Sequence, residues 1–181
     1  MLKEKSLLMD EAAVRRTVAR MTHEIIEKNK GSDNLVLIGV KRRGIPLALM
    51  LQKNIELFDQ AKVPVGTIDI TLYRDDLTET VELPEATDSF IPVDITGKTV
   101  VIVDDVIYTG RTCRAAIEAV FAFGRPAAIQ LAVLIDRGHR ELPIRPDFVG
   151  KNIPTSREEV VSVMVEEYDG QTAVKILEKV E

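Results

Sequence analysis

The stretch Val100-Val101-Ile102-Val103-Asp104-Asp105-Val106-Ile107-Tyr108-Thr109-Gly110-Arg111-Thr112 decides how the rest of the chain is read. It opens as a short apolar, β-branched run, the pattern of a strand buried on both faces. Two adjacent carboxylates follow, then a small-residue turn, then a helical pattern from Thr112 to Phe123. A strand that passes through a glycine-containing turn into a helix is a ready anion site. The free N–H groups of the turn and first helical turn converge there, and the helix dipole favours negative charge. Asp104 and Asp105 stand at the carboxyl end of the strand, where open α/β sheets bind ligands. Carboxylates accept hydrogen bonds, so they suit the vicinal hydroxyls of a ribose better than they suit phosphate. Acceptors for a sugar, followed by donors for a phosphate, describe a ribose 5-phosphate site. Neither a Walker loop nor a dinucleotide fingerprint occurs in the chain.

A second unit of the same kind lies upstream. Leu35 to Val40 reads as a buried strand running into Lys41-Arg42-Arg43-Gly44, and Ile45 to Phe58 as a helix with Pro46 in its first turn. Three cations and a glycine at the end of a strand can clamp a pyrophosphate through side-chain charge and backbone N–H groups. Asp10 is a good N-cap for a helix from Glu11 to about Lys30, ended by Gly31. Val63 to Tyr73 alternates like a strand, and Ala128 to Asp136 reads as another buried one. Val160 to Val165 and Thr172 to Leu177 predict a hairpin turning at Asp169-Gly170. Strands alternating with helices predict one α/β domain over residues 1–181, with a central, mostly parallel sheet flanked by helices. The acidic stretch from Arg74 to Asp88 is too long for a tight connection and reads as a lid. Residues 137–157, rich in proline and glycine and without sustained period, read as a covering segment near the sheet's carboxyl edge.

Composition narrows the function classes. With 45% apolar and 29% charged residues the chain is an ordinary globular domain, and its net charge of −5 gives no bulk attraction to nucleic acid or anionic membrane. Any RNA contact must therefore come from a local patch. Arg16, Arg20 and His23 recur at helical spacing on one face of the first helix, where a solvated face is the ordinary reading. Cys113 is the only cysteine, so an intrachain disulfide and a multi-cysteine zinc site are both excluded. It is expected to be a small packing residue. The first residues do not open a signal peptide and no apolar run reaches membrane-spanning length, so a cytoplasmic protein is expected.

An apolar run, Asp-Asp, two further residues and then Thr-Gly-x-Thr resembles the phosphoribosyl-pyrophosphate motif of the type I phosphoribosyltransferases. Tyr108 is the one departure, since many members carry a smaller residue there. Arg42, Arg43 and Gly44 match the family's pyrophosphate loop, which often holds a non-proline cis peptide. Tyr73-Arg74-Asp75-Asp76 matches its flexible catalytic loop, and the segment from Arg137 to about residue 157, with the C-terminal hairpin, its hood. The stretches Asp136-Arg137-Gly138-His139-Arg140-Glu141-Leu142-Pro143-Ile144-Arg145 and Gly150-Lys151-Asn152-Ile153-Pro154-Thr155-Ser156 are similar to those of one subfamily, the bifunctional pyrimidine-operon attenuation regulators that are also uracil phosphoribosyltransferases.

The resemblance implies a cytoplasmic homo-oligomer that converts uracil and phosphoribosyl pyrophosphate to UMP and pyrophosphate with Mg²⁺ carried mainly by the substrate. It also implies binding of pyrimidine-operon leader mRNA in response to UMP or UTP. On this reading Asp104 and Asp105 hold the ribose, Thr109, Gly110, Arg111 and Thr112 cradle the 5-phosphate, and Arg42, Arg43 and Gly44 hold pyrophosphate, joined by Arg74. Val106, Ile107, Tyr108 and Arg137 complete the substrate site, and no protein metal ligand is expected. Arg20, His23, Lys28, His139, Arg140, Arg145 and Lys151 fall on the RNA-contacting surface. There Ala19 stands in place of an expected threonine, and Lys28 in place of an arginine. A salvage enzyme without an RNA role, and a nucleotide sensor with little turnover, are the competing readings.

Overall fold

The computed structural model describes residues 1–75 and 88–180. Its centre is a five-stranded, all-parallel sheet built from β2 (Leu35–Val40), β3 (Val65–Ile68), β4 (Thr99–Ile107), β5 (Ala128–Asp136) and β6 (Phe148–Asn152), in the order β3-β2-β4-β5-β6. Alternate residues of each strand feed two separate apolar layers, as the two-residue period of a strand requires. Leu35, Leu37, Val101 and Val103 pack with α1 (Glu11–Lys28) and α2 (Gly44–Asp59) on one face. Val36, Ile38, Val100 and Ile102 pack with α3 (Arg111–Phe121) on the other.

This order places a topological switch between β2 and β4. The chain leaves β2 through α2 to reach β3 on one side, and leaves β4 through α3 to reach β5 on the other. A crevice opens where the two connections diverge, at the carboxyl ends of the strands. Pairing sharpens it: β2 follows β4 only as far as Gly39 opposite Val103, whereas β5 follows it to Ile107 opposite Asp136. Asp104 and Asp105 thus lie within the last part of β4, on a stretch with one open edge.

A second, antiparallel sheet forms the hood, with β1 (Leu2–Met9) and β7 (Val160–Met164) on either side of β8 (Ala173–Lys179). The hairpin joining β7 to β8 carries a one-turn helix, α4 (Glu166–Asp169), and not the tight turn predicted at Asp169-Gly170. Gly170 closes that turn at φ 66°. The strand expected over Val63–Tyr73 is also shorter. The Asp69 carboxylate accepts from the Thr71 N–H (3.0 Å) and hydroxyl (2.6 Å), and this local turn replaces the ladder, so a 3₁₀ turn follows at Thr71–Tyr73. The covering segment 137–157 contains β6, an edge strand of the main sheet, between its two loops. The lid expected from Arg74 to Asp88 falls largely on residues 76–87, outside the described residues.

Candidate active site

The cavity at the switch point measures about 710 Å³ and is lined by the Lys41-Arg42-Arg43 loop, Asp69, Thr71, Arg74, Asp104, Asp105, Thr112 and Tyr168. The cationic loop and the acidic pair therefore share one space, as the two sequence motifs predict. Gly44 makes their approach possible: a Cβ there would sit 2.3 Å from the Val103 carbonyl oxygen. Only glycine lets the start of α2 rest against β4 one residue before the aspartates. The Lys41–Arg42 peptide is cis, the feature common to the family's pyrophosphate loops.

Asp104 and Asp105 differ in chemistry. Burial, then the adjacent Asp105 charge, pushes the Asp104 carboxyl well above the ordinary carboxylate range. The Asp105 N–H donates to Asp104 Oδ1 and the Val106 N–H to Asp105 Oδ1, each at 2.8 Å, so both side chains are fixed against their own strand. Asp69, which the sequence did not single out, is drawn below the usual carboxylate range by its Thr71 hydrogen bonds and by Lys41.

The turn after β4 opens a smaller adjoining cavity of about 130 Å³, lined by Val106, Ile107, Tyr108, Thr109, Gly110 and Thr112. Gly110 adopts φ 92°, which turns the chain from β4 into α3. The hood side holds this loop from outside, with the Glu141 and Leu142 N–H groups donating to the Thr109 carbonyl at 2.9 and 3.1 Å. Arg111, expected in the phosphate cradle, directs its guanidinium to Glu141 (2.9 Å) and Asp75 (2.6 Å). Its backbone N–H donates to Thr109 Oγ1 at 3.3 Å, and its side chain ties Asp75 to Glu141. Cys113 lies buried beneath, and burial raises its thiol to about 11, in keeping with a packing role.

Arg137 is buried and spends its donors on the turn 155–159, reaching Thr155 Oγ1 (3.1 Å), the Ser156 carbonyl (3.0 Å) and the Glu159 carbonyl (2.8 Å). Its guanidinium lies 4.1 Å from the Tyr108 ring centroid. Tyr108, the departure from the family motif, is thus the platform on which Arg137 stacks. Beside it a third cavity of about 340 Å³ is lined by Asp136, Arg137, Arg140, Asn152 and Ile153.

Comparison with known proteins agrees with this geometry. A family model described as a phosphoribosyl transferase domain matches residues 7–168. The bifunctional protein PyrR of Clostridium novyi is 59% identical over 97% of this chain and 98% of its own length. That of Pelotomaculum thermopropionicum is 56% identical over the full length of both. The chain belongs to the PyrR family of phosphoribosyltransferases. Solved structures carry the same fold at greater distance. A hypoxanthine-guanine phosphoribosyltransferase from Bacillus anthracis superposes with a TM-score of 0.72 at 23% identity, covering 99% of this chain and 100% of that one. The Trypanosoma cruzi hypoxanthine phosphoribosyltransferase reaches 0.76 at 24%, covering 96% and 95%.

The structure divides the residues expected to face RNA. Arg20 leans from α1 onto the edge strand, donating to the Gly150 carbonyl and to the Val149 carbonyl (3.3 Å), with Glu24 at 2.7 Å. Lys28 reaches Asp147 at 2.9 Å, and Lys151 is exposed on the same strand, so these three line the seam between α1 and β6. His23 turns the other way and stacks on Phe58 of α2, ring centroids 4.3 Å apart. The single stripe read from helical spacing therefore splays to two flanks. Arg140 is braced inward by Asp136 (2.6 and 3.0 Å), the Tyr108 carbonyl (3.1 Å) and the Ile144 carbonyl (2.8 Å). His139 engages the Thr155 carbonyl, and Arg145 is exposed on the same loop.

Proposed function

We propose that this PyrR-family protein transfers the phosphoribosyl group of phosphoribosyl pyrophosphate to uracil in the switch-point cavity, and binds pyrimidine-operon leader mRNA through the α1–β6 seam and the hood loop. The observation that carries the reading is the cavity itself, where a loop of three cations faces a fixed pair of aspartates. Asp104 and Asp105 hold the ribose hydroxyls, and the turn at Thr109, Gly110, Arg111 and Thr112 offers N–H groups to the 5-phosphate. Val106, Ile107 and Tyr108 form the wall between these two subsites. Arg42 and the backbone at the start of α2 (Gly44) hold pyrophosphate, with Arg43 bracing that loop and Arg74 at the mouth. Uracil occupies the third cavity, beside Arg137.

In the reaction the bond from the anomeric carbon to pyrophosphate breaks as the bond to the uracil nitrogen forms, and that nitrogen gives up its proton to solvent. Positive charge builds on the sugar, next to the Asp104–Asp105 pair, and negative charge builds on the departing pyrophosphate, next to the cationic loop. Catalysis is then positioning and electrostatics, with no protein nucleophile. Phosphoribosyltransferases generally use Mg²⁺ with this substrate. Among the described residues no group of three or more His, Cys, Asp or Glu side chains is arranged to hold a metal. Hard oxygen ligands from the substrate's own phosphates, with few protein contributions, fit Mg²⁺ well. When bound there it neutralises the leaving group.

Arg20, Lys28, Arg145 and Lys151 supply the charge for RNA, while His139 and Arg140 shape the loop that presents it, and His23 stands apart on the flank of α2. The net charge of −5 is no obstacle, because phosphate contacts need only a local positive surface. UMP, UTP and phosphoribosyl pyrophosphate share the ribose 5-phosphate pocket and so compete. If the nucleotide-bound state binds RNA better, RNA tightens nucleotide binding by the same factor. No helix among the described residues is long and apolar enough to cross a membrane. A cytoplasmic setting follows from the substrates, and the exposed Leu49, Leu57 and Phe58 of α2 support a homo-oligomer.

Two assays test this. Uracil-dependent release of pyrophosphate from phosphoribosyl pyrophosphate should be measurable with Mg²⁺; turnover with a purine instead would overturn the base assignment. Leader-hairpin binding should tighten with UMP and weaken with salt, and binding no better than to an unrelated hairpin would remove the RNA role.

A further inference from the structure

Each of the three cations in the loop at the end of β2 is already held in place. Lys41 reaches Asp88 at 2.9 Å. The Arg42 guanidinium lies 4.9 Å from the Tyr168 ring centroid. Arg43 makes a two-point contact with Asp169, Nη2 to Oδ1 at 2.8 Å and Nε to Oδ2 at 3.2 Å. Two of these three restraints come from α4, the one-turn helix of the hood hairpin, which lies 126 residues away from Arg43 in the chain. Neither family motif includes it.

The restraint is built with care. The Asp169 side chain is only 15% exposed, and its Oδ2 also accepts from the Val165 N–H at 2.8 Å. The carboxylate is thereby locked to the hairpin before it meets arginine. The Asp169 N–H in turn donates to the Val165 carbonyl at 2.8 Å, and Gly170 closes the turn. With its Nε/Nη2 edge engaged, Arg43 acts on the loop as a strut. Arg42, the neighbouring cation, is held by a ring face, a contact that leaves its N–H donors available to an anion. Tyr168 itself lines the switch-point cavity.

We infer that Tyr168 and Asp169 are positioning residues for the pyrophosphate half of the substrate: Asp169 anchors the loop through Arg43, and Tyr168 presents Arg42 to the anion. This rests on the reading of the cavity as the phosphoribosyl-pyrophosphate site, and makes the hood hairpin part of that site. A structural prop would change stability alone. A positioning pair changes the affinity for pyrophosphate and leaves that for uracil untouched, because the base cavity lies on the far side of β4.

The test uses the full chain with Mg²⁺ and inorganic pyrophosphate as probe, followed by calorimetry, together with steady-state KM for phosphoribosyl pyrophosphate and for uracil. Asp169→Asn and Tyr168→Leu should each raise the pyrophosphate Kd and the phosphoribosyl-pyrophosphate KM about twofold to fivefold, the scale of a partly exposed charge or cation–π contact. The uracil KM should stay unchanged. Tyr168→Phe keeps the ring face and should behave as the parent. Melting curves accompany each variant, and if Asp169→Asn does not fold, the Tyr168 pair still decides. Unchanged pyrophosphate affinity in the folded variants would overturn the inference. Tighter binding in Asp169→Asn would overturn it too, since Arg43 would then be a direct ligand restrained by Asp169. A parent protein that binds no pyrophosphate would instead refute the site reading beneath it.

Discussion

Replacing Gly44 by alanine probes the contact that brings the two halves of the site together. The added Cβ would start 2.3 Å from the Val103 carbonyl oxygen, where real Cβ contacts essentially never fall below 3.0 Å. The obstacle is backbone, so no side-chain rotation relieves it, and α2 must lift from β4 by about 0.7 Å. Overpacking of this kind costs about 1–3 kcal/mol. For a domain of this size that lowers Tm by about 4–8 °C at the middle of the range, so the protein stays folded. The same displacement separates the cationic loop from Asp104, and misplacement approaching 1 Å costs up to about a hundredfold in rate. The expected result is therefore a small loss in melting temperature with a ten- to hundredfold loss of kcat/KM for phosphoribosyl pyrophosphate. Ile55→Val, a buried change in the same helix, supplies the control: it loses about 0.5–1.5 kcal/mol and should keep parental turnover. Parental melting and turnover in Gly44→Ala would refute the reasoning. So would equal activity losses in the two variants.

Three further outcomes follow from the site. Asp104→Asn should abolish turnover yet raise stability at neutral pH. The native carboxyl holds its proton above the range where the unfolded one releases it, so parental stability falls as pH rises from about 4 through the raised value and then levels off. The variant should lack that decline in denaturant titrations across pH, and a matching decline would refute the assignment. Cys113, buried and raised to about 11, should resist a thiol reagent in the native protein and react on unfolding. Lys151→Ala should weaken leader-hairpin binding and reduce the slope of log K against log salt by about one, without altering uracil turnover.

The parts of the fold that sequence made legible are those whose signal is local. β2 and β5 begin and end where their apolar runs predict, because the sheet is covered on both faces: every residue of β2 is buried, as are Leu131 to Ile135 of β5. The Asp10 cap of α1 is equally local, its carboxylate accepting the Ala13 N–H at 2.8 Å. The strand β1 was missed. Its Lys-Glu-Lys alternation is mostly exposed, and only pairing with β8, at the other end of the chain, makes it a strand. Strand β6 was hidden for a similar reason, as an edge strand with exposed Lys151 and Asn152 between proline-rich loops. Both catalytic motifs were legible, since each strand–loop–helix unit is a continuous segment. The partners of their side chains were not. Nothing near Arg43 points to Asp169, and nothing near Tyr108 points to Arg137 stacked on it.

The chain has no tryptophan and three tyrosines, of which Tyr108 and Tyr168 line the site's cavities and Tyr73 adjoins the cavity-lining Arg74. Tyr73 ends the 3₁₀ turn beside Arg74, Tyr108 lies under Arg137, and Tyr168 lies under Arg42. Each ring sits by a different part of the proposed site: Tyr73 by the first residues of the expected lid, Tyr108 by the base cavity and Tyr168 by the pyrophosphate loop. The protein's own ultraviolet absorbance and emission are therefore a label-free signal of occupancy. Replacing the tyrosines singly with phenylalanine would resolve that signal into the order in which the three parts are engaged.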